Sequence, residues 1–149
     1  MSSVTSGIIT YIETVIGSAV PTLLKSKNYY DFNKNDGRNN AYIYAVRPGS
    51  ASPVDGVTRS TTIQQDFDLE ISKEFTDTAT TDQSIRDAVE VIYNANEIIL
   101  KQLAYRRNAS IIKIGEPNFS EPQVNQVQKS VSIVFTYPIT FRKSIQGDS

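Results

Sequence analysis

The stretch TRSTTIQQDFDLEISKEF, residues 58–75, decides the fold of this chain. Its apolar side chains all stand at odd-numbered positions, and its even-numbered positions are polar: Ile63, Phe67, Leu69, Ile71 and Phe75 against Thr62, Gln64, Asp66, Asp68, Glu70, Ser72 and Glu74. Successive side chains of an extended backbone point to opposite sides of a sheet, so a strand with one apolar and one polar face is predicted. Eighteen residues would extend about 60 Å, whereas a compact domain of this chain length spans about 40 Å. We therefore expect the strand to bend, to bulge or to leave the domain.

A second alternating stretch occupies residues 127–141. One face would carry Val127, Val131, Ile133, Phe135, Tyr137, Ile139 and Phe141, and the other Gln128, Ser130, Ser132, Thr136 and Thr140. Within this stretch Pro138 cannot donate a backbone hydrogen bond, because proline has no N–H group. The strand is therefore predicted to end at Pro138, to bulge there or to lie at an edge of the sheet.

Two helices are predicted from apolar residues that recur at helical spacing. The first runs from about Ser6 to Leu24, and Ser6 is its expected N-cap. The second begins near Thr80 and its apolar stripe ends near Leu103. Charge pairs one turn apart on the outer side of the second helix support it further.

Shorter apolar runs at residues 42–46 and 111–114 predict two short strands. Residues 28–40 and 47–57 are rich in Asn, Asp, Ser, Pro and Gly, and we expect them to form polar loops. The polar tail, 144–149, is expected to be mobile.

The resulting order is helix, strand, long strand, helix, strand, long strand. With 149 residues the chain can bury a real core. We expect a single α+β domain over residues 1–149, in which an antiparallel sheet of about four strands carries two helices on one face. The long strands, or a hairpin, would extend from the core.

The chain contains no histidine and no cysteine. This composition excludes an imidazole base, a cysteine nucleophile, a serine–histidine pair and an ordinary zinc site. The seven glycines are not clustered, so the sequence has no phosphate-binding loop. We accordingly expect no enzyme activity and no cofactor.

The acidic residues Asp66, Asp68 and Glu70 share the polar face of the first long strand. Alternate strand positions place their carboxyl groups roughly 6 to 7 Å apart, which suits paired catalytic acids or a hard cation. No neighbouring group that would raise a pKa, and no aromatic sugar platform, accompanies them. A stripe that faces solvent or another subunit is the favoured interpretation.

Charge is distributed unevenly, although the net charge is only −1. Residues 1–50 hold five basic and three acidic side chains, residues 51–100 three and ten, and residues 101–149 seven and three. Opposed blocks argue against specific nucleic-acid binding and are compatible with self-association. Positive charge at 101, 106 and 107 also suits the C-terminal end of the second helix, and this explanation is preferred over a phosphate-binding patch. The candidate residues of a subunit or partner interface are Arg47, Asp66, Asp68, Glu70, Arg106 and Arg107.

Residues 7–24 contain a single charged side chain, Glu13, and must be considered as a membrane segment. No basic residue precedes them, and Pro21 and several hydroxyl side chains lower their hydrophobicity. We expect a buried helix and no membrane role. Because no targeting segment is recognised, the expected compartment is the cytoplasm of the producing cell.

The order of elements, taken with QQDFDLEISKEF (64–75) and VSIVFTYPITFRKS (131–144), resembles the tail-terminator, or tail-completion, proteins of long-tailed bacteriophages. The resemblance implies a ring, usually hexameric, that caps the finished tail tube and stops its polymerisation. The implied partners are further copies of the chain, the tail tube protein, the head–tail connector protein and, as an additional candidate, the sheath protein. The implied location is the tail or neck of the virion, after assembly in the host cytoplasm.

Two other functional classes remain open. One is a small cytoplasmic enzyme that acts on a carbohydrate or nucleotide through Asp66, Asp68 or Glu70. The other is a monomeric adaptor or immunity-type binding module, which would be a stable monomer with one tight protein partner.

Overall fold

The computed structural model describes residues 4–26, 42–53, 60–75, 81–105, 111–125 and 129–144. Their elements are α1 (Val4–Ala19), β1 (Leu24–Lys25), β2 (Tyr42–Pro53), β3 (Ser60–Glu74), α2 (Thr81–Tyr105), β4 (Ile111–Ile114), β5 (Asn118–Phe119), β6 (Gln123–Asn125) and β7 (Ser130–Ser144). The expected loop 28–40 and part of the expected loop 47–57, residues 54–57, lie outside the described residues. The expected tail lies outside them too, apart from Ser144, which is the last residue of β7.

The fold is α+β, and its described strands form one mixed seven-stranded sheet. The order is β1-β2-β3-β7-β4, and β5 and β6 also pair with β7. Only β1 is parallel to its neighbour β2, and the other pairs are antiparallel. The expected four-stranded antiparallel sheet is therefore only roughly correct. The sequence did not indicate β1, β5 and β6, because strands of two or three residues are too short to show an alternating pattern.

The two long strands predicted from the sequence are confirmed as β3 and β7. They pair along fifteen residues each, from Ser60 opposite Ser144 to Glu74 opposite Ser130, without a shift in register. This ladder lies in the middle of the sheet, since β2 flanks β3 and the segment β4–β6 flanks β7.

Pro138 neither ends nor distorts the β3–β7 ladder, where it lies opposite Asp66. Its carbonyl accepts a hydrogen bond of 2.8 Å from the N–H of Gly115, at the end of β4. The nitrogen and the carbonyl of one strand residue point to the same side, so the missing N–H of Pro138 also faces away from β3. On that side the pairing with β7 is interrupted between β4 and β5. The absence of this N–H therefore removes no hydrogen bond from the β3–β7 ladder.

Strand β2 is longer than expected, because it continues through Arg47–Pro53 instead of ending at Arg47. A bulge between Pro48 and Ala51 places two residues opposite Asp66 and restores the pairing with β3. The bulge brings the backbones close together, and a Cβ on Gly49 would lie 3.1 Å from the carbonyl oxygen of Asp66. Proline and glycine, which read as a loop signal in the sequence, here mark a bulge.

The helix α1 ends at Ala19, five residues before the predicted end. The residue before a proline is driven away from helical geometry, so Pro21 explains the early end. Ser6, the expected N-cap, lies inside the helix, which begins at Val4 among the described residues. The second helix is confirmed as α2 (Thr81–Tyr105). None of the described helices is long and apolar enough to cross a lipid bilayer.

Both helices contribute to one hydrophobic cluster with a single face of the sheet, which we call the helix-covered face. Its main members are Ile8, Ile12 and Ile16 of α1, Tyr44 and Val46 of β2, Phe67, Leu69 and Ile71 of β3, Ile92 and Ile99 of α2, and Ile133, Phe135, Tyr137, Ile139 and Phe141 of β7. The alternation of β3 and β7 thus buries the apolar odd-numbered residues from Phe67 to Ile71 and from Val131 to Phe141, as the sequence predicted, and Ile63 is partly buried.

Two polar side chains that belong to the helix-covered face are satisfied by hydrogen bonds. The Tyr137 hydroxyl donates to Oδ1 of Asn96 on α2, and burial raises the pKa of Tyr137 above its ordinary value. Gln65 accepts from the Thr5 hydroxyl at 3.0 Å and donates to the Gly49 carbonyl at 3.2 Å. Buried polar groups without such partners are costly, so these bonds fix the position of each helix on the sheet.

Candidate functional site

The candidate interface residues of β2 and β3 lie on the side of the sheet opposite the helices, which we call the polar face. The register places Arg47 opposite Asp68 and Ala45 opposite Glu70, so these side chains share one face with Asp66. All three carboxylates are half-buried rather than fully exposed. The sequence prediction that they share one face of a strand is therefore confirmed.

Arg47 and Glu70 form an ion pair through Nη2 and Oε1. The pair is diagonal, because Arg47 lies directly opposite Asp68 and Glu70 lies directly opposite Ala45. The small side chain of Ala45 leaves room beside Glu70. Each side chain is only 17% exposed. Because a partly buried charge without its partner is costly, this pair links β2 to β3 more strongly than a surface ion pair would.

Asp68 also has a partner on a neighbouring strand. The hydroxyl of Thr136, which lies directly opposite on β7, donates a hydrogen bond of 2.9 Å to Oδ1 of Asp68. A hydrogen bond to a charged group is stronger than one between neutral groups. Two of the three carboxylates are thus held by polar side chains of the sheet itself.

Asp66 differs, because its carboxylate makes no hydrogen bond or ion pair with any residue that the structure describes. It lies between the bulge at Gly49 and Pro138, and Gly115 follows on the next strand segment. A Cβ on Gly115 would lie 2.8 Å from Cγ of Pro138, so only glycine fits there without a shift. The cross-strand row that contains Asp66 therefore has a glycine in β2 and another directly after β4.

The polar face is not uniformly hydrophilic. Ile43 and Ala45, on β2, point away from the helices and are nevertheless buried, together with Ser72 on β3. This agrees with the sequence pattern of β2, which is apolar on both sides. The acidic residues thus border an apolar area instead of forming an isolated charged stripe.

Among the described residues, no group of three acidic side chains is arranged to hold a metal ion. The polar face thus carries one carboxylate, Asp66, without a partner among the described residues, beside two carboxylates that have partners there. The remaining candidates, Arg106 and Arg107, lie outside the described residues, so the structure does not place them relative to this face.

An apolar area at the edge of the sheet was missed by the sequence analysis. Phe119 and Val124 lie in the segment β5–β6 and are exposed. The sequence shows only a turn-rich link with two prolines there. Their grouping depends on the pairing of this segment with β7, which the sequence does not reveal.

No protein-family model matches this chain, and no curated protein sequence matches it.

Proposed function

We propose that this chain is a structural protein of a long-tailed bacteriophage that closes into a ring on the end of the tail tube. The ring ends polymerisation of the tube and joins the tail to the head-side connector. Its partners are its own copies, the tail tube protein and the head–tail connector protein, with the sheath protein as an additional candidate. It acts in the tail or neck of the virion and assembles in the host cytoplasm.

The observation that carries this proposal is the length of the β3–β7 ladder. Fifteen paired residues on each strand extend about 50 Å, more than the roughly 40 Å span of a compact domain of this size. The ladder continues for three residue pairs beyond Ile63, which still packs against the core. We define the arm as residues 60–62 and 142–144, in which Arg142 is exposed.

An arm of paired strands can connect neighbouring subunits of a ring, because it can reach an adjacent subunit without unfolding the core. Its polar side chains also limit uncontrolled pairing with other strands, which exposed apolar edges would promote. The opposed charge blocks of the sequence add a further reason for contacts between unlike surfaces of two copies.

The contacts on the polar face support a structural role over the enzyme alternative. Paired catalytic acids work when an unlike environment sets their protonation states apart, usually by burial of one of them in an apolar pocket, and no such pocket accompanies these residues in the described part of the polar face. Instead, Glu70 is engaged by Arg47 and Asp68 by Thr136. The adaptor alternative differs from the ring in its oligomeric state, because an adaptor would remain a stable monomer.

A tube-termination assay tests the proposal. The purified chain is added to its tail tube protein during polymerisation, and tube lengths and tube ends are measured by electron microscopy. We expect shorter tubes with ring-shaped density on one end. Unchanged lengths with bare ends would contradict the proposed function.

A matched variant tests the polar face separately. In the triple variant Asp66→Asn, Asp68→Asn, Glu70→Gln the shape of the face is retained but its negative charge is removed. Because Glu70→Gln also leaves Arg47 without its partner, urea denaturation first confirms that the triple variant is folded under the assay conditions. We expect the triple variant to cap fewer tube ends than the wild type. Equal capping would exclude a subunit-facing role for these carboxylates while leaving the ring itself in place.

A further inference from the structure

The apolar area at the edge of the sheet, which we call the edge patch, consists of Phe119 and Val124. They lie opposite Phe135 and Val131 of β7, so both belong to the helix-covered side of the sheet. The ring of Phe119 packs against Tyr93 of α2 and against Phe135, with centroid distances of 5.6 and 5.8 Å. Nevertheless Phe119 is 58% exposed. The patch is thus held in place by the core, but the described residues do not cover it.

A second pair of exposed apolar residues, Val91 and Ile98, lies on α2, and we call it the helix stripe. The two residues are seven positions apart, so they lie on the same side of the helix, two turns from each other. The helix turns about 100° per residue, so Val91 lies about 160° around the helix from Tyr93. Since Tyr93 contacts the edge patch, the helix stripe of the same copy cannot reach that patch.

The edge patch and the helix stripe have similar lengths. The residues opposite the patch are four positions apart on β7, which corresponds to about 13 Å in a strand. The stripe extends about 10 Å along the helix. A helix α2 from a second copy can therefore lie along the β5–β6 edge with one apolar side chain on each member of the patch.

Exposed charges at the ends of both surfaces favour one orientation. Beyond the β5 end of the patch lies Glu116, and beyond its β6 end lies Lys129. Asp87 precedes the stripe by about one turn and lies on its side of α2, whereas the exposed Arg86 lies about 140° around the helix from Val91; Lys101 follows the stripe. When Ile98 lies on Phe119, at the β5 end of the patch, Lys101 lies near Glu116 and Asp87 lies near Lys129. Opposite charges then meet at both ends. The reverse orientation would bring like charges together at both ends.

We propose that the edge patch of one copy binds the helix stripe of a second copy in this orientation. The contact joins two different surfaces, so it is head-to-tail and can close a ring. It rests on the proposed function, because it would be the interface that repeats around that ring.

The first test uses the absence of cysteine from the chain. The cysteines are placed beside the contact so that its apolar side chains are kept: Asn94 lies between the two stripe residues and Glu121 between the two patch residues, and both are exposed. The variants Asn94→Cys and Glu121→Cys are prepared separately with tags of different mass, mixed, and treated with a short bis-maleimide. We expect cross-linked pairs that contain one copy of each variant, and no cross-linking when either variant is treated alone. An absence of mixed pairs, or equal cross-linking of Glu121→Cys to itself, would overturn the proposal.

The second test exchanges the charges at one end of the contact. Lys101→Glu and Glu116→Lys should each weaken assembly, and the double variant should restore it. Phe119→Ser should weaken assembly about tenfold or more, because a large apolar side chain loses its burial in the interface. Ile112→Ser is the control, since Ile112 is also an exposed apolar residue, at 49%, but lies on β4 and does not belong to the patch. Failure of the double variant to restore assembly would count against the orientation.

These outcomes separate the interface from the proposed function. All variants are measured under the condition in which the wild type assembles, either alone or on tube ends. If the wild type assembles and Phe119→Ser and Ile98→Ser assemble equally well, this interface is wrong and the proposed function stands. If the wild type forms no ring under either condition, both are wrong.

Discussion

On the helix-covered face of the β3–β7 ladder, Phe67, Leu69 and Phe135 are almost completely buried, whereas Asp66 and Asp68 on the polar face remain half-buried. The two faces alternate along the same backbone, so they differ only in the chemistry of their side chains. Burial of large apolar groups makes the first face the main source of stability. The polar face contributes through a few specific pairs, so most single changes there should cost less stability.

The largest expected effect is on the helix-covered face. Phe135→Ala removes a fully buried aromatic side chain that also packs against Tyr93 and Phe119, and it should lower the free energy of unfolding by about 3–5 kcal/mol. Val134→Ala, on the polar face of the same strand, is the matched control and should cost less than about 1.5 kcal/mol. Urea denaturation measures both. Equal losses would remove the distinction between the two faces.

The Arg47–Glu70 pair should give the next largest effect. Arg47→Met leaves Glu70 partly buried without its partner and should cost about 2 kcal/mol. Lys25→Met is the comparison: Glu13 is as little exposed as Glu70, at 16%, but its pair with lysine is longer, at 3.8 Å, and the lysine side chain is 51% exposed. The weaker pair should therefore cost less than about 1 kcal/mol when it is lost. A double-mutant cycle with Glu70→Gln that shows no coupling would contradict this assignment.

The buried hydrogen bond between Tyr137 and Asn96 should contribute somewhat less. Tyr137→Phe leaves Oδ1 of Asn96 without its donor and should cost about 1–2 kcal/mol in thermal or urea unfolding. Tyr93→Phe is a suitable control, since the ring contacts of Tyr93 do not depend on its hydroxyl. A loss no larger than that of the control would show that the bond is not important for stability.

The same tyrosine predicts a response to alkaline pH. Burial raises the pKa of Tyr137, so the folded state keeps the phenolic proton while the unfolded chain, whose tyrosines have a pKa near about 10, loses it. The unfolded state then binds fewer protons, and stability falls as the pH rises above about 10. The fall should be shallower in Tyr137→Phe, and an identical slope in wild type and variant would contradict the prediction.

The smallest effect on stability is expected at Asp66. Because its carboxylate has no partner among the described residues, Asp66→Asn should change the free energy of unfolding by less than about 0.5 kcal/mol. If the polar face contacts another subunit, the same change should nevertheless weaken assembly. A large loss of stability in the isolated chain would instead place Asp66 among the residues that maintain the fold.

Much of the fold could be predicted because its largest elements are amphipathic. The alternation in β3 and β7 and the helical stripe of α2 each reflect one buried side, and periodicity reveals such a side directly. The shortest strands could not be predicted, since β5 and β6 exist only through their pairing with β7. The full length of β2 was hidden because Pro48 and Gly49 resemble a loop, and only the opposing strand shows that they form a bulge.

The candidate site was predictable to a similar degree. That Asp66, Asp68 and Glu70 share a face follows from their spacing alone. Which of them has a partner depends on the register of β2 and β7 against β3, since Arg47 reaches Glu70 diagonally. The edge patch was not predictable, because the sequence around Phe119 shows only turn residues.

The central claim is that this chain assembles into a closed ring. The most direct measurement is the mass of the native assembly, determined for the full chain alone and recovered from tail tube ends, together with electron micrographs of the same samples. We predict a single closed oligomer with a central opening in at least the tube-bound sample. A chain that remains monomeric alone and leaves tube ends bare would contradict the proposed function.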